Sequence, residues 1–165
     1  MRSRWHNLPR SHRWALIDAA FAYGSENGLV SLLARVRALQ IFLDADDGNN
    51  LLAGVKRAAN ILRIEEANGD YFKPVTDFKL LTEVAEFTLA TALDTAAPAI
   101  ADAVAAEDFT AAMAALASLC PAIDAFFDTV IVNAPEPTLR ANRLGLLARV
   151  CAAANSVADF SRIEG

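Results

Sequence analysis

The sequence predicts an all-α protein, a bundle of about six to seven helices forming one domain. Three observations carry this. Apolar residues recur at helical spacing along almost the whole chain, and no segment sustains an alternation of period two. Alanine fills 35 of the 165 positions, and alanine both favours helices and lets them approach closely. A chain of this length with 55% hydrophobic residues is enough for one proper core and too short to need two.

The elements follow in order. Residues 1–13 form a basic leader, read as foreign or disordered sequence, and the helical domain is expected over 14–165. A first helix is predicted over about 11–23, ending near Gly24. Gly28 precedes a second helix that places Leu29, Leu32, Leu33, Val36, Leu39 and Leu43 on one side. Asp46-Asp47-Gly48 reads as a turn, with Asn49 or Asn50 capping the third helix by accepting from its free N–H groups. The core stripe of that helix is Leu52, Val55, Ala59 and Leu62, and Asn68-Gly69-Asp70 ends it.

A connecting loop spans 71–79. The fourth helix begins near Leu81 and carries Leu89, Leu93, Ile100 and Val104, with Pro98 expected to kink or split it. Asp108 is the cap of a fifth helix, whose inward residues are Phe109, Ala112, Met113, Leu116 and Cys120. Pro121 suits the first turn of a sixth, with Ile123, Phe126, Phe127 and Val130 inward. After the proline-rich loop 133–137, a last helix carries Leu139, Leu146, Leu147, Val150 and Val157.

The formal net charge is −5, but its distribution matters more than its total. Residues 1–63 carry a net +4, residues 64–137 a net −11, and residues 138–165 a net +2. Salt screens exposed charges beyond about 10 Å, so a ligand at one face responds to the local sign. The two cysteines, Cys120 and Cys151, make no CxxC motif and fit reduced thiols in cytosol. The uncharged run 111–123 contains Pro121 and is shorter than the roughly 18 apolar residues of a membrane span, so no membrane contact is expected.

Catalytic constellations mostly need histidine, cysteine or convergent carboxylates. The only histidines, His6 and His12, lie in the leader at a spacing that does not share a helix face. No phosphate-cradling glycine loop or metal-binding motif is present, so neither a catalytic residue nor a metal site is expected. Asp124 and Asp128 share a helix face at i and i+4, a pair that reads as structural.

The third predicted helix is the most informative. About half of its circumference is free of charge, while Lys56, Asn60 and Arg63 cluster on the other side with Arg57 at the margin. Such a strip suits phosphates through lysine and arginine and a base edge through the amide. An ordinary solvated face is the plain alternative. In the last helix Arg143 falls on the inward row of Leu139, Leu146 and Val150, so it calls for a carboxylate partner, with Asp128 or Asp124 as candidates. Arg140, one step round, is freer to meet RNA.

Several segments resemble one family. Asp47-Gly48-Asn49-Asn50-Leu51-Leu52-Ala53 running into Lys56-Arg57-Ala58-Ala59-Asn60-Ile61-Leu62 is similar to a signature near the C-terminus of glycyl-tRNA synthetase beta subunits. So are Asp124-Ala125-Phe126-Phe127-Asp128, Leu139-Arg140-Ala141-Asn142-Arg143-Leu144 and Val157-Ala158-Asp159-Phe160-Ser161-Arg162. The resemblance covers most of the chain from Ile17 onward and leaves out the leader. It implies the helical anticodon-binding domain named for an Asp-Ala-Leu-Arg string, and here Arg37-Ala38-Leu39-Gln40 stands where such a string would sit. Val55 occupies a place where the family leads one to expect an aromatic residue.

The resemblance further implies tRNA(Gly) as ligand, bound through Lys56, Arg57, Asn60, Arg63 and Arg140, and a cytoplasmic assembly with an alpha subunit and the remainder of beta. Glycine activation with ATP and Mg belongs to that holoenzyme, with no cofactor in this chain. Glycine anticodons share two cytosines, whose N4 amines donate, so acceptors such as Asn60 or a nearby carboxylate suit their recognition. A protein-docking module working through the acidic middle segment is the alternative function.

Overall fold

The computed structural model describes residues 28–69 and 71–163, and no strand occurs among the described residues. Among the described residues six α-helices follow one another: α1 (Gly28–Leu43), α2 (Asp46–Ala67), α3 (Val84–Ala105), α4 (Phe109–Ala117), α5 (Cys120–Thr129) and α6 (Pro137–Asn155). Single 3-10 turns occupy Phe78–Leu80 and Phe160–Arg162. The leader over 1–13, its two histidines and the helix predicted over 11–23 lie outside the described residues.

In α1, Leu32, Val36 and Leu39 turn inward as predicted, but Leu29 and Leu33 are 68% and 56% exposed. The helix packs on α2 and α4, and Ala38 and Phe42 complete the buried arc instead. Periodicity places a stripe correctly yet does not say how wide an arc the neighbours cover.

The turn expected at 46–48 is already helix. α2 starts at Asp46 with Ala45 in the N-cap position, and Asn49 donates back to the Ala45 carbonyl (3.3 Å) rather than capping. Two carboxylates in the first turn, Asp46 and Asp47, complement the positive end of the helix dipole. Gly48 is required for a different reason: a Cβ there would lie 1.9 Å from the Phe42 carbonyl oxygen, so the α1–α2 corner closes only over a glycine. Along α2, Leu52, Val55 and Leu62 are buried as expected, but Ala58 takes the inward place assigned to Ala59, which is exposed.

α3 opens with a capping box, in which the Glu83 side chain accepts from the Glu86 N–H and the Glu86 side chain accepts from the Glu83 N–H (2.7 Å). It runs uninterrupted through Pro98, so the predicted split does not occur. Pro98 is solvent-exposed, where water can satisfy the carbonyl its ring leaves unpaired, while Leu93, Ala96 and Ile100 anchor the opposite side. Glu107 then adopts the left-handed region (φ 57°), which lets the Asp108 N–H reach the Ala103 carbonyl at 2.8 Å.

Asp108 caps α4 by accepting from the Ala111 N–H (3.0 Å). The span Phe109–Thr129 is apolar and long enough to cross a membrane by length and composition alone. In the fold it is broken in two at Ser118–Leu119, because Pro121 at the start of α5 has no N–H to continue the ladder. Phe109, Met113, Leu116, Ile123 and Phe126 from this span are core residues.

α6 holds the bundle together through polar groups. Glu136 caps it, accepting from the N–H groups of Thr138 and Leu139, and these bonds hold its carboxyl below the usual range. The carboxylate partner of Arg143 is Glu86, not Asp128 or Asp124. Arg143 Nε donates to Glu86 Oε1 at 2.7 Å, Nη1 to the Ile131 carbonyl at 2.7 Å and Nη2 to Thr82 Oγ1 at 3.2 Å. Asp124 and Asp128 are exposed, since α5 turns Ile123 and Phe126 inward and its acidic side to water. Glu86 is fully buried and also accepts from the Thr82 and Glu83 N–H groups. Burial works to raise its pKa, but the bonds from Arg143 and the two N–H groups outweigh it and hold it low.

Candidate nucleic-acid interface

α2 lies between α5 on one side and α6 with the final 3-10 turn on the other. Gly54 permits the first approach, because a Cβ there would sit 2.8 Å from Ile123 Cγ2. That contact fixes the rotation of α2 and so decides which side chains face outward. Lys56, Asn60 and Arg63, spaced i, i+4 and i+7, come out on the side of the C-terminal turn.

These three form one lip of a cleft of about 350 Å³. Val55 and Phe160, both buried, and Cys151 make its floor, and Asn155, Asp159 and Ser161 make the opposite lip. Asn60 and Arg63 are exposed and Lys56 half-buried. Arg63 Nη2 donates to Asn60 Oδ1 at 2.9 Å, and Lys56 has no ion pair among the described residues.

Asp159 is the only carboxylate among the described residues that line the cleft. It accepts from the Ser161 N–H (3.1 Å), the Ser161 hydroxyl and Arg162 Nε (2.9 Å). Partial burial pushes its pKa up, yet the bonds from Ser161 and Arg162 prevail and keep it below the ordinary carboxylate value. Cys151 behaves oppositely. Burial and then the charge of Glu66 push its thiol up to about 11, so it is a protonated, weakly polar part of the floor at neutral pH. Burial does the same for Cys120, helped by Asp47 and Asp124.

The remaining candidates lie apart from this cleft. Arg57 stacks its guanidinium over the Phe127 ring of α5, 4.3 Å from the centroid, and remains exposed. Arg140 is paired with Glu65 and borders a separate hollow beside Phe72 and Pro135. Three polar residues of α6 from one sequence motif therefore each grip a different element: Arg140 the end of α2, Arg143 the start of α3, and Asn142 the loop between them. Asn142 exchanges two hydrogen bonds with the Asp77 backbone, at 2.8 and 3.0 Å. Asn155, Asp159 and Ser161 were not singled out as site residues in the sequence, although the last two sit inside a quoted motif. For Glu86, the Glu-x-x-Glu spacing of the capping box was an available signal.

No group of three or more potential metal ligands occurs among the described residues. What the cleft offers is binding: cations at one lip, an apolar floor and polar groups on both sides. Residues 51–157, which include α2 from Leu51 onward, all of α3 to α6 and the floor residues Val55 and Cys151, match the family model of the DALR anticodon binding domain.

The chain belongs to this family.

The DALR match starts inside α2, so Arg37-Ala38-Leu39-Gln40 on α1 falls outside it. Among curated relatives, the glycine–tRNA ligase beta subunit of Rhodospirillum centenum is 53% identical over 155 residues, 93% of this chain. That of Cereibacter sphaeroides is 46% identical over 165 residues, 99% of the chain, and that of a Ruegeria species 44% over 154 residues, 93%. An alignment over 99% of the chain takes in the leader as well, a stretch the sequence reading left outside the resemblance. The chain spans 22% to 24% of the length of these relatives.

Proposed function

We propose that this DALR domain holds the anticodon loop of tRNA(Gly) in the cleft beside α2, as the anticodon-binding part of a glycine–tRNA ligase beta subunit. The observation that carries the reading is the cleft itself. A cationic lip, Lys56 and Arg63, which falls within the region matched by the family model, meets an apolar floor and a polar far lip. Single-stranded loops are recognised by proteins that offer this combination, with charge for the phosphates and a partly apolar seat for an unstacked base.

Lys56 and Arg63 neutralise phosphates, Asn60 meets a base, and Arg57 extends the positive surface toward α5 from its seat on Phe127. Arg140, engaged with Glu65, supports the end of α2 and has a secondary part in RNA contact. The domain makes and breaks no bonds. Ligation of glycine, with its ATP and Mg, is assigned to the cytoplasmic assembly this domain serves, comprising the rest of the beta subunit and a separate alpha subunit.

A titration tests the reading. The chain is expected to bind the anticodon stem–loop of tRNA(Gly) more tightly than a control whose two shared anticodon cytosines are replaced by uracil. Equal affinity for both would remove specific reading and leave a docking module as the better account.

A further inference from the structure

The acidic stretch 64–137 takes no part in the cleft, and α3 within it keeps an uncharged outer face. Val84 and Phe87 are 82% and 42% exposed. With the exposed Thr88, Thr91 and Thr95 they fall on one side of the helix, at i, i+3, i+4, i+7 and i+11. Between this row and Ser118, at the end of α4, runs a groove of about 570 Å³, lined also by the half-buried Ala92. None of the described residues lining it is charged, in a chain with 21% charged residues. Thr88 donates to the Val84 carbonyl (2.9 Å), Thr95 to that of Thr91 (3.1 Å) and Ser118 to that of Ala115 (2.6 Å). Hydroxyls bonded back to their own helix have no proton left to offer, so they present mainly carbon beside the Phe87 ring. A single exposed apolar side chain is ordinary, but a continuous uncharged row along a helix marks a contact face. Glu86, next to Phe87, is the buried partner of Arg143, which pins this end of α3 to α6. No residue of the groove lines the cleft, and α3 packs on α4, α5 and α6 rather than on α2, so RNA in the cleft leaves the groove open.

We infer that the α3–α4 groove is a protein-docking face, and that it receives a helix from the part of the beta subunit outside this sequence. The inference rests on the reading of the chain as one portion of such a subunit, and not on how that portion meets RNA. Two observations point to this occupant. The chain spans 22% to 24% of its curated relatives, so more than three-quarters of such a subunit is joined to this domain by the same chain. Tethering gives that portion an effective concentration that a separate partner lacks. Charge then sets the chemistry of the facing helix. Residues 64–137 contain only two cations, Lys73 and Lys79. Asp94 lies at the margin of the α3 row, held by Arg149, and the exposed Asp102 continues the row beyond Thr95. A helix that sets small or apolar residues against Phe87 and Thr91, with lysine or arginine toward Asp102, fits both the groove and its charge.

Thiol labelling tests this. Thr91→Cys, with Thr95→Cys as a second position, is expected to react readily with a maleimide in this chain, and peptide mass spectrometry separates it from the slow native Cys120 and Cys151. In the complete beta subunit of Rhodospirillum centenum, a cysteine at the aligned position should react slower by about tenfold or more, as a face covered some nine-tenths of the time does. Urea should restore the rate. Equal rates in the chain and in the complete subunit, at both positions, overturn the docking face. Three other outcomes overturn its occupant: slowing in this chain that grows with its own concentration assigns the face to a second copy, slowing that needs the alpha subunit assigns it to that subunit, and slowing that needs tRNA(Gly) makes it an RNA surface. The tRNA reading fails separately, in the stem–loop titration above, which Thr91→Cys should leave unchanged.

Discussion

Cys151 shows how burial decides chemistry at a single atom. Its thiol lines the cleft, yet a pKa near 11 leaves almost none of it as thiolate at neutral pH, and the thiolate is the reactive form. Iodoacetamide at pH 7.5 is therefore expected to label Cys151 far more slowly than an unstructured thiol, with the rate rising as pH approaches 11; labelling at the rate of free glutathione would contradict this. Glu86 gives the opposite case. Its folded pKa lies below the ordinary value of 4.5, so its contribution to stability is complete above about pH 4.5 and is lost as pH falls through the depressed folded value. Removing one partner of a buried ion pair strands the other, at a cost of about 3–5 kcal/mol. Glu86→Gln should lose stability of that order near pH 7 and show a flatter decline toward pH 3. Urea midpoints at the two pH values check it, and equal losses at both would contradict the linkage.

At the scale of the element, α6 is a clamp. Gly145 lets the loop backbone of 71–77 lie directly on the helix, since a Cβ there would come within 2.2 Å of the Val75 carbonyl oxygen, and Asn142 holds that loop at Asp77. Gly145→Ala is expected to destabilise the chain by about 1–3 kcal/mol, the usual cost of overpacking, and to speed hydrogen exchange at the Asp77 amide. A stabilised variant with the higher helix propensity of alanine would contradict this. The sequence made the helices legible because their apolar spacing, the Asp108 cap and Pro121 are local signals. It did not disclose why a glycine sits in mid-helix, since the reason is a loop some 70 residues earlier in the chain. Arg143 was legible as an inward cation needing a carboxylate. Its partner was not, because the nearest acids in sequence face water and Glu86 is supplied by a helix 57 residues away. The near lip of the cleft was likewise readable as a charge cluster on one side of α2. The far lip exists only because the chain folds back after α6, and no periodicity encodes that return.

For the molecule as a whole, charge is segregated rather than absent. A net −5 conceals an acidic middle of −11 between two basic ends, and the fold brings α2 from one basic end against the C-terminal turn from the other. Both ends contribute to the cleft, α2 its cations and the C-terminal turn its carboxylate, so the local charge there differs in sign from the total along the α2 lip. The most direct measurement is the salt dependence of binding to tRNA(Gly), compared between wild type and the double variant Lys56→Ala, Arg63→Ala. Each phosphate contact to a single-stranded loop contributes about 0.7 to the slope of log affinity against log salt. The account predicts weaker binding and a slope reduced by about 0.7–1.4, with the fold unchanged by circular dichroism. An affinity and a slope both equal to those of wild type would contradict it.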